Sequence, residues 1–430
     1  MRLHIASWVA VSAVSLSMLV ACPAKHVPAP TPTPNPSDPC VKADAVGSES
    51  RTGKFVASPQ PVPGEYIVVL RTPRPGEKTL EPSLAAERLS AQYGGSVFFT
   101  YAHALRGFAS RMSPEQAGSM AADPEVEYVQ ENGVMTISES QPDATWGIDR
   151  VDQRELPLDK TYLYNAHGKG VHAYIIDTGI RASHSEFGGR AEASFDSIGD
   201  NQKGNDCNGH GTHVAATVGG NTYGVAKNVR LHGVRVLNCS GSGTTAGVIA
   251  GVDWVTSNRE LPAVANMSLG GAKNAALDDA IRKSITSGVT FILAAGNENQ
   301  NACNVSPART AEAITVGATT NSDSRATFSN WGSCVDVFAP GHEILSAWLS
   351  NDTATRLLSG TSMAAPHVTG LAALFLERNP TAAPAAVAAA LVDNSTPGKV
   401  ANPGSCSPNR LMFSGFIGGP PSLQTAQEGR

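Results

Sequence analysis

Three residues, far apart in the chain, have types and settings that suit acyl transfer. Asp177 follows the apolar run Val171–Ile176 and opens Asp177-Thr178-Gly179. His210 lies in Gly209-His210-Gly211-Thr212-His213-Val214-Ala215, where flanking glycines allow close backbone approach and leave the imidazole room. Ser362 lies in Gly360-Thr361-Ser362-Met363-Ala364-Ala365-Pro366-His367, at the start of an apolar helical stretch. A helix start offers free N–H groups and a dipole that favour developing negative charge. A serine attacking a carbonyl, a histidine taking its proton and an aspartate holding the imidazole form a working hydrolytic set.

Each motif also has a blander reading. Asp-Thr-Gly marks aspartic proteases as well, and an aspartate at a strand end is often a turn residue. That mechanism needs a second Asp-Thr/Ser-Gly in a mostly β lobe, and the sequence has neither. A metal pair from His210 and His213 lacks the His-Glu-x-x-His spacing, so His213 is expected to be a packed helix residue. Ser362 could serve as a plain N-cap, and Gly-x-Ser-x-Gly is not matched.

The elements that must position these residues alternate strand and helix. Val171–Ile176, Val229–Leu237, Ala263–Met267, Val289–Ala294 and Ile314–Val316 are apolar enough to be parallel strands buried on both faces. Helical stretches fall at His213–Val218, Thr245–Ser257, Ala275–Ser287 and Met363–Glu377. This predicts an α/β fold with an open, mostly parallel sheet and helices on both faces, beginning near Trp146; the resemblance given below extends that domain to residues 139–415. Working residues in such sheets collect at the carboxyl ends of strands, where Asp177 stands.

A smaller α+β unit precedes it. Tyr66–Leu70 has strand character, and Pro82–Tyr93 is expected as a helix with Leu84 and Leu89 on its apolar side. Strands follow at Ser96–Tyr101, Gly107–Met112 and Val126–Met135, with a short helix opening at Ser113-Pro114-Glu115. This β-α-β-β-α-β order is ferredoxin-like, over residues 64–138. Seven prolines between Pro23 and Pro39 make residues 22–63 an extended tether. Residues 1–21, with Arg2 before an apolar Ile5–Val20, have the form of an export signal. Leu19-Val20-Ala21-Cys22 resembles a bacterial lipoprotein box with Cys22 as the acylated residue. Residues 416–430 are expected to be a flexible tail.

Composition agrees. Of 430 residues, 41% are hydrophobic and 16% charged, with 42 glycines and 28 prolines, so most of the chain folds. A net charge of −5 without a basic block argues against nucleic acid as partner. Export makes disulfides plausible among seven cysteines, although spacing does not fix their pairing.

The Asp-His-Ser order, with Trp146-Gly147-Ile148-Asp149-Arg150, Val225-Ala226-Lys227, Ala265-Asn266-Met267-Ser268-Leu269-Gly270-Gly271, Ala294-Ala295-Gly296-Asn297 and Phe328-Ser329-Asn330, resembles subtilisin-like serine proteases of the proteinase K and aqualysin branch. Residues 65–136 resemble that family's propeptide inhibitor domain. The resemblance implies a secreted, autoprocessing serine endopeptidase acting through an acyl-enzyme. Ser362 is then the nucleophile, His210 the base and Asp177 its orienter; Asn297 and the Ser362 N–H are the oxyanion donors. Protein and peptide substrates would bind as an added strand between Ser240-Gly241-Ser242-Gly243 and Ser268-Leu269-Gly270. Ala294, Ala295 and Gly296 lie nearby, so the main pocket is uncharged and favours large hydrophobic or aromatic residues before the scissile bond.

The resemblance also implies disulfides Cys207–Cys239 and Cys303–Cys334, leaving Cys406 a free thiol. Asp149, Asp152, Gln153 and Asp159 form a hard-oxygen set suited to structural calcium, matching one family site. A second site would use Asp336 with backbone oxygens of Ala311 and Ala313. Solvated surface acids are the alternative at both. No cofactor is expected for the chemistry, and the mature enzyme is expected to be monomeric. The Ser306–Pro307 bond is expected to be cis. Self-cleavage near Ser138–Glu139 would separate the protease from the prodomain, its own inhibitor, and from any transient membrane anchor at Cys22.

A non-enzymatic surface lipoprotein that only binds partners is the rival reading; filled triad and oxyanion positions weigh against it.

Overall fold

The computed structural model describes residues 54–58, 61–73, 80–133 and 139–417. The stretch expected to be an export signal, Cys22, Cys40, the proline-rich stretch, Ser138 and the residues beyond 417 lie outside the described residues.

The N-terminal module is a five-stranded sheet with two helices. Its strands run in the order Phe55–Val56, Val126–Gly133, Pro61–Leu70, Gly107–Arg111, Ser96–Tyr101. The β-α-β-β-α-β pattern is present, with one addition. Phe55–Val56, inside the stretch expected to be tether, pairs in parallel with Val129 and Gln130, and Phe55 sits 6.0 Å from the Tyr66 ring. The helix Pro114–Ala121 starts on a capping box, with Ser113 accepting from the Gln116 N–H and Gln116 accepting from the Ser113 N–H.

The helix Pro82–Tyr93 buries Pro82, Ala85, Ala86 and Leu89. Leu84, expected on the same side as Leu89, is 51% exposed. Five residues at about 100° each place the two roughly 140° apart, so they cannot share a face. Both helices contribute to a single core cluster with Val68, Phe108 and Val129.

The second region carries a nine-stranded sheet. Its order is Thr396–Pro397, Arg410–Leu411, Val337–Pro340, Ile314–Thr319, Val289–Ala294, Ala263–Met267, His172–Asp177, Arg230–Arg235, Ala191–Asp196. Every pairing is parallel except that between the first two strands. Strand periodicity sorts the side chains onto two faces. Ala173, Ile175, Val264 and Ile292 join a core with the helices His210–Gly219 and Thr361–Arg378. Tyr174, Ile176, Ala265, Phe291 and Leu293 join another with the helices Thr245–Asn258 and Ala275–Thr286. Layers on both faces explain why these strands read as unbroken apolar runs.

The two ends of this region are fastened. Arg150, fully buried, forks onto Asp323 at 2.7 and 2.9 Å. The Ser414 N–H donates to the Val151 carbonyl at 2.6 Å, and the Arg154 guanidinium lies 4.0 Å from the Phe413 ring centre. Disulfides join Cys207 to Cys239 and Cys303 to Cys334, as the resemblance implied. Cys406, expected as a free thiol, is instead disulfide-bonded; a family pattern supplies partners only for cysteines that relatives share. The Ser306–Pro307 bond is cis.

Candidate active site

Asp177 ends the central strand His172–Asp177, fully buried. Its Oδ1 accepts from the Thr178 N–H at 2.7 Å and lies 2.8 Å from His210 Nδ1. Sequence reasoning started the neighbouring helix at residue 213, whereas it starts at His210, with Gly209 as N-cap at φ 106°. Gly211 is needed for packing, since a Cβ there would meet the Gly179 carbonyl oxygen at 2.2 Å. The helix can therefore press against Asp177-Thr178-Gly179 only because position 211 has no side chain.

Asp206 builds the loop that leads into this helix, a role the sequence reading missed. Its Oδ1 accepts from the N–H groups of Asn208 and Gly209 and from the Thr178 hydroxyl, at 2.8–2.9 Å. Its Oδ2 accepts from the Thr212 N–H and hydroxyl at 2.9 and 2.6 Å. An acid four residues before the histidine, ahead of a glycine-led helix, was the available signal. Burial alone would lower the His210 pKa. The charge and hydrogen bond of Asp177, with the charge of Asp206, outweigh it and raise that pKa above the usual imidazole value. His213 packs inside, as expected, and burial holds it down to about 4.

Ser362 is the second residue of the helix Thr361–Arg378, capped by Gly360, so Ser362 is not the N-cap. Pro366 lies four residues on and has no N–H, which leaves the Ser362 carbonyl without its helical donor. The Ser268 hydroxyl fills that place, donating to the Ser362 oxygen at 2.8 Å. Buried Asn266 donates to the Ser268 hydroxyl oxygen at 2.9 Å and accepts from Thr369. The Ser362 hydroxyl donates to the Ser268 carbonyl at 3.2 Å, and no hydrogen bond joins it to His210. Catalytic bonds often tighten only when substrate binds.

Asn297 accepts from the Thr361 N–H at 2.8 Å and hydroxyl at 2.9 Å through Oδ1. With that oxygen fixed, the Nδ2 donors remain available on the Ser362 side, 3.6 Å from a Cβ built at Gly360, whose distance to the Ser362 nitrogen is 3.5 Å.

A groove of ≈ 550 Å³ runs beside His210, lined by Leu237, Gly241, Ser242, Gly243, Ser268, Leu269, Gly270, Leu277 and Ser306 among others. Ser240, Ala294, Ala295 and Gly296 are not among its lining residues. The Ala295 oxygen accepts from Asn330, and the Gly296 N–H donates to Thr361. Lys273 lines the groove too, a charge that sequence reasoning did not place there. The Cys207–Cys239 disulfide joins the loop before His210 to the turn that opens the groove rim, and Asn208 Nδ2 donates to the Cys239 oxygen at 3.0 Å.

The acidic set has one feature suited to a cation. Asp149 Oδ1 is buried without a partner, while Oδ2 accepts from the Lys160 N–H at 3.0 Å. Burial, with Asp149 and Asp159 alongside, raises Asp152 to about 7. Asp159 caps the Thr161 N–H, and Gln153 Nε2 donates to the carbonyls of Glu155 and Pro157. Among the described residues these carboxylates do not gather within 4.8 Å of one another. The group that does, Asp200 with Cys207 and Cys239, has its sulfurs committed to a disulfide. At the second expected set, Asp336 Oδ2 accepts from the Thr315 N–H at 2.9 Å. Ala311 is exposed and Ala313 buried.

Known proteins agree with this architecture. Residues 168–410 match the Subtilase family, and residues 65–138 match Peptidase inhibitor I9. The chain is 51% identical over 374 residues to an extracellular serine proteinase of Thermus sp. (strain Rt41A), covering 84% of this chain and 91% of that one. It is 49% identical over 360 residues to alkaline serine exoprotease A of Vibrio alginolyticus, covering 81% and 67%. The crystal structure of a cold-adapted subtilisin-like serine proteinase is 55% identical, with a TM-score of 0.62 over 63% of this chain and 98% of that one. The chain belongs to the subtilase family, as a secreted subtilisin-like serine protease of the proteinase K type with an inhibitor-type propeptide.

Proposed function

We propose that Ser362, His210 and Asp177 form the catalytic triad of an endopeptidase that works through an acyl-enzyme. The observation that carries this is the 2.8 Å Asp177–His210 contact at a strand end, beside a serine at a helix N-terminus. Ser362 Oγ attacks the peptide carbonyl and passes its proton to His210 Nε2. The imidazolium, held by Asp177, returns that proton to the departing amine, and water then releases the acyl group. Asn297 Nδ2 and the Ser362 N–H hold the oxyanion. His210 must be neutral to act as base, so activity falls as pH drops through its pKa, which lies above the usual value near 6.5.

Substrate lies as an added strand along Gly241–Gly243 and Ser268–Gly270, with large hydrophobic or aromatic residues before the scissile bond. The residues 139–415 form the protease and 64–138 its inhibitor; cleavage near Ser138–Glu139 separates them. Glu139–Pro142 pairs with Thr161–Tyr164, so the strand just after the expected cut belongs to the protease region. Calcium held by Asp149, Asp152, Gln153 and Asp159, and by Asp336 with the oxygens of Ala311 and Ala313, would neutralise Asp149 and Asp152, whose charged forms burial disfavours. Acylation of Cys22 would anchor the precursor until that cut, and the mature protease works as a monomer.

Labelling with a serine-directed fluorophosphonate tests the central assignment. The wild type should be labelled at Ser362 and lose activity. Ser362→Ala should stay unlabelled, inactive and uncut at full length. Peptidase activity surviving in Ser362→Ala would overturn the triad.

A further inference from the structure

The side of His210 away from the groove carries an uncompensated cation. Gly209, immediately before His210, is covered by the Trp348 indole, since a Cβ at Gly209 would meet that ring at 2.6 Å. Trp348 follows the strand Ile344–Ala347, which pairs antiparallel with Thr355–Leu358, and this second strand leads directly to Ser362. The Arg356 guanidinium lies over the Trp348 ring, 4.4 Å from its centre.

This hairpin is fixed relative to the catalytic histidine. His213 Nε2, on the same helix as His210, bonds to the carbonyls of Ile344 and Arg356 at 3.1 and 3.0 Å. Burial keeps His213 neutral, so it is a hydrogen-bonding strut and not a charge. Asp352 is the acid of the connecting turn, and Arg181 and Ser183 occupy it at 2.8 and 2.7 Å. Among the described residues Arg356 takes part in no ion pair. It is exposed, and its neighbour Leu357 is 58% exposed.

On the serine-protease reading above, which this inference deepens, His210 protonates the leaving amine. The leaving half of the peptide must then pass on the Gly209–Trp348 side, opposite the groove that holds the acyl half. We propose that Arg356, stacked on Trp348, selects a carboxylate side chain at the second or third residue beyond the scissile bond. Stacking pre-orients the guanidinium fork and leaves its N–H groups free, which suits a planar carboxylate.

Internally quenched peptides with one fixed acyl half, and Asp, Gln or Lys at those two leaving positions, test the assignment. Each rate is normalised to the p-nitroanilide of the same acyl half, which has no leaving-side residues. The wild type should prefer Asp to Lys in kcat/KM by roughly three- to fivefold at low salt, and less at high salt. Arg356→Gln should bring the ratio close to one, and Arg356→Glu should invert it. An unchanged ratio in Arg356→Gln, or no preference in the wild type, overturns the role of Arg356 while anilide hydrolysis keeps the protease reading intact. Failure to hydrolyse anilide and peptides alike would overturn both.

Discussion

The N-terminal module and the protease region bury apolar sheets in different ways. In the module both helices join a single core, and Phe99 on the edge strand is 62% exposed. In the protease region helices cover both sheet faces, two disulfides cross-link loops, and one helix, Thr361–Arg378, is buried along most of its length. A unit of some 75 residues with a one-sided core is marginally stable by itself. An inhibitor meant to be discarded benefits from that weakness, while its target must persist in the presence of proteases.

Acid should separate the two regions most. Burial holds His213 and His367 at about 4, well below the unfolded value near 6.5. The unfolded chain therefore binds protons that the folded chain refuses. Each residue's stabilisation is complete above pH 6.5 and falls by about 3 kcal/mol as pH drops to 4. Asp152, raised to about 7, works in the opposite direction between its unfolded value of 3.8 and 7. Denaturant unfolding of a Ser362→Ala, Asp152→Asn chain at pH 7 and pH 4.5 removes the opposing contribution of Asp152. The protease transition should move to lower denaturant. The module buries no histidine among its described residues, and if its transition shifts equally the comparison fails.

Matched cavities come next. Leu89→Ala in the module and Leu371→Ala in the protease region each empty a fully buried site and should each cost about 2–5 kcal/mol. The same loss should unfold the module outright and only lower the protease transition. Amide exchange in the full Ser362→Ala chain reads both together; equal protection loss in the two regions would contradict the argument.

Chelation should act on one region alone. If calcium sits near Asp149 and Asp152, removing it costs about 2.7 kcal/mol at a hundredfold excess over Kd. A calorimetric midpoint that falls only for the protease transition supports the site, and an unmoved one argues against it. Smallest is Ser268→Ala, which strips the Ser362 carbonyl of its donor at a cost of about 1–3 kcal/mol. The lower melting point should come with reduced kcat if Ser362 is the nucleophile, because the hydrogen bond positions the Ser362 peptide. Full activity would show that packing alone holds Ser362.

Much of this arrangement is legible in the sequence because buried parallel strands read as apolar runs; Ala263–Met267 and Val289–Ala294 have the boundaries expected of them. The motifs around Asp177, His210 and Ser362 were equally legible. Harder to see was the helix start at His210, since two glycines argue against helix and only packing on Gly179 justifies them. Asp206 was missed because its five hydrogen bonds go to the loop residues Asn208 and Gly209, to Thr178 just past a strand end and to Thr212 in the helix, which spacing does not reveal. The strand Phe55–Val56 is too short to show alternation, and the bonding of Cys406 lies beyond any local pattern. Ser268 was expected to touch substrate through its backbone; the work of its hydroxyl follows only once Pro366 is seen to withhold an N–H.

A secreted protease meets active copies of itself, and the usual point of attack is a frayed chain end. Here the first helix of the protease region, Trp146–Asp152, and the last described segment hold one another through Val151 and Ser414, while Arg150 locks the same helix to Asp323. Neither end can peel away without the other. Shelf life against self-digestion is then governed by how rarely this joint opening occurs, a rate and not an equilibrium.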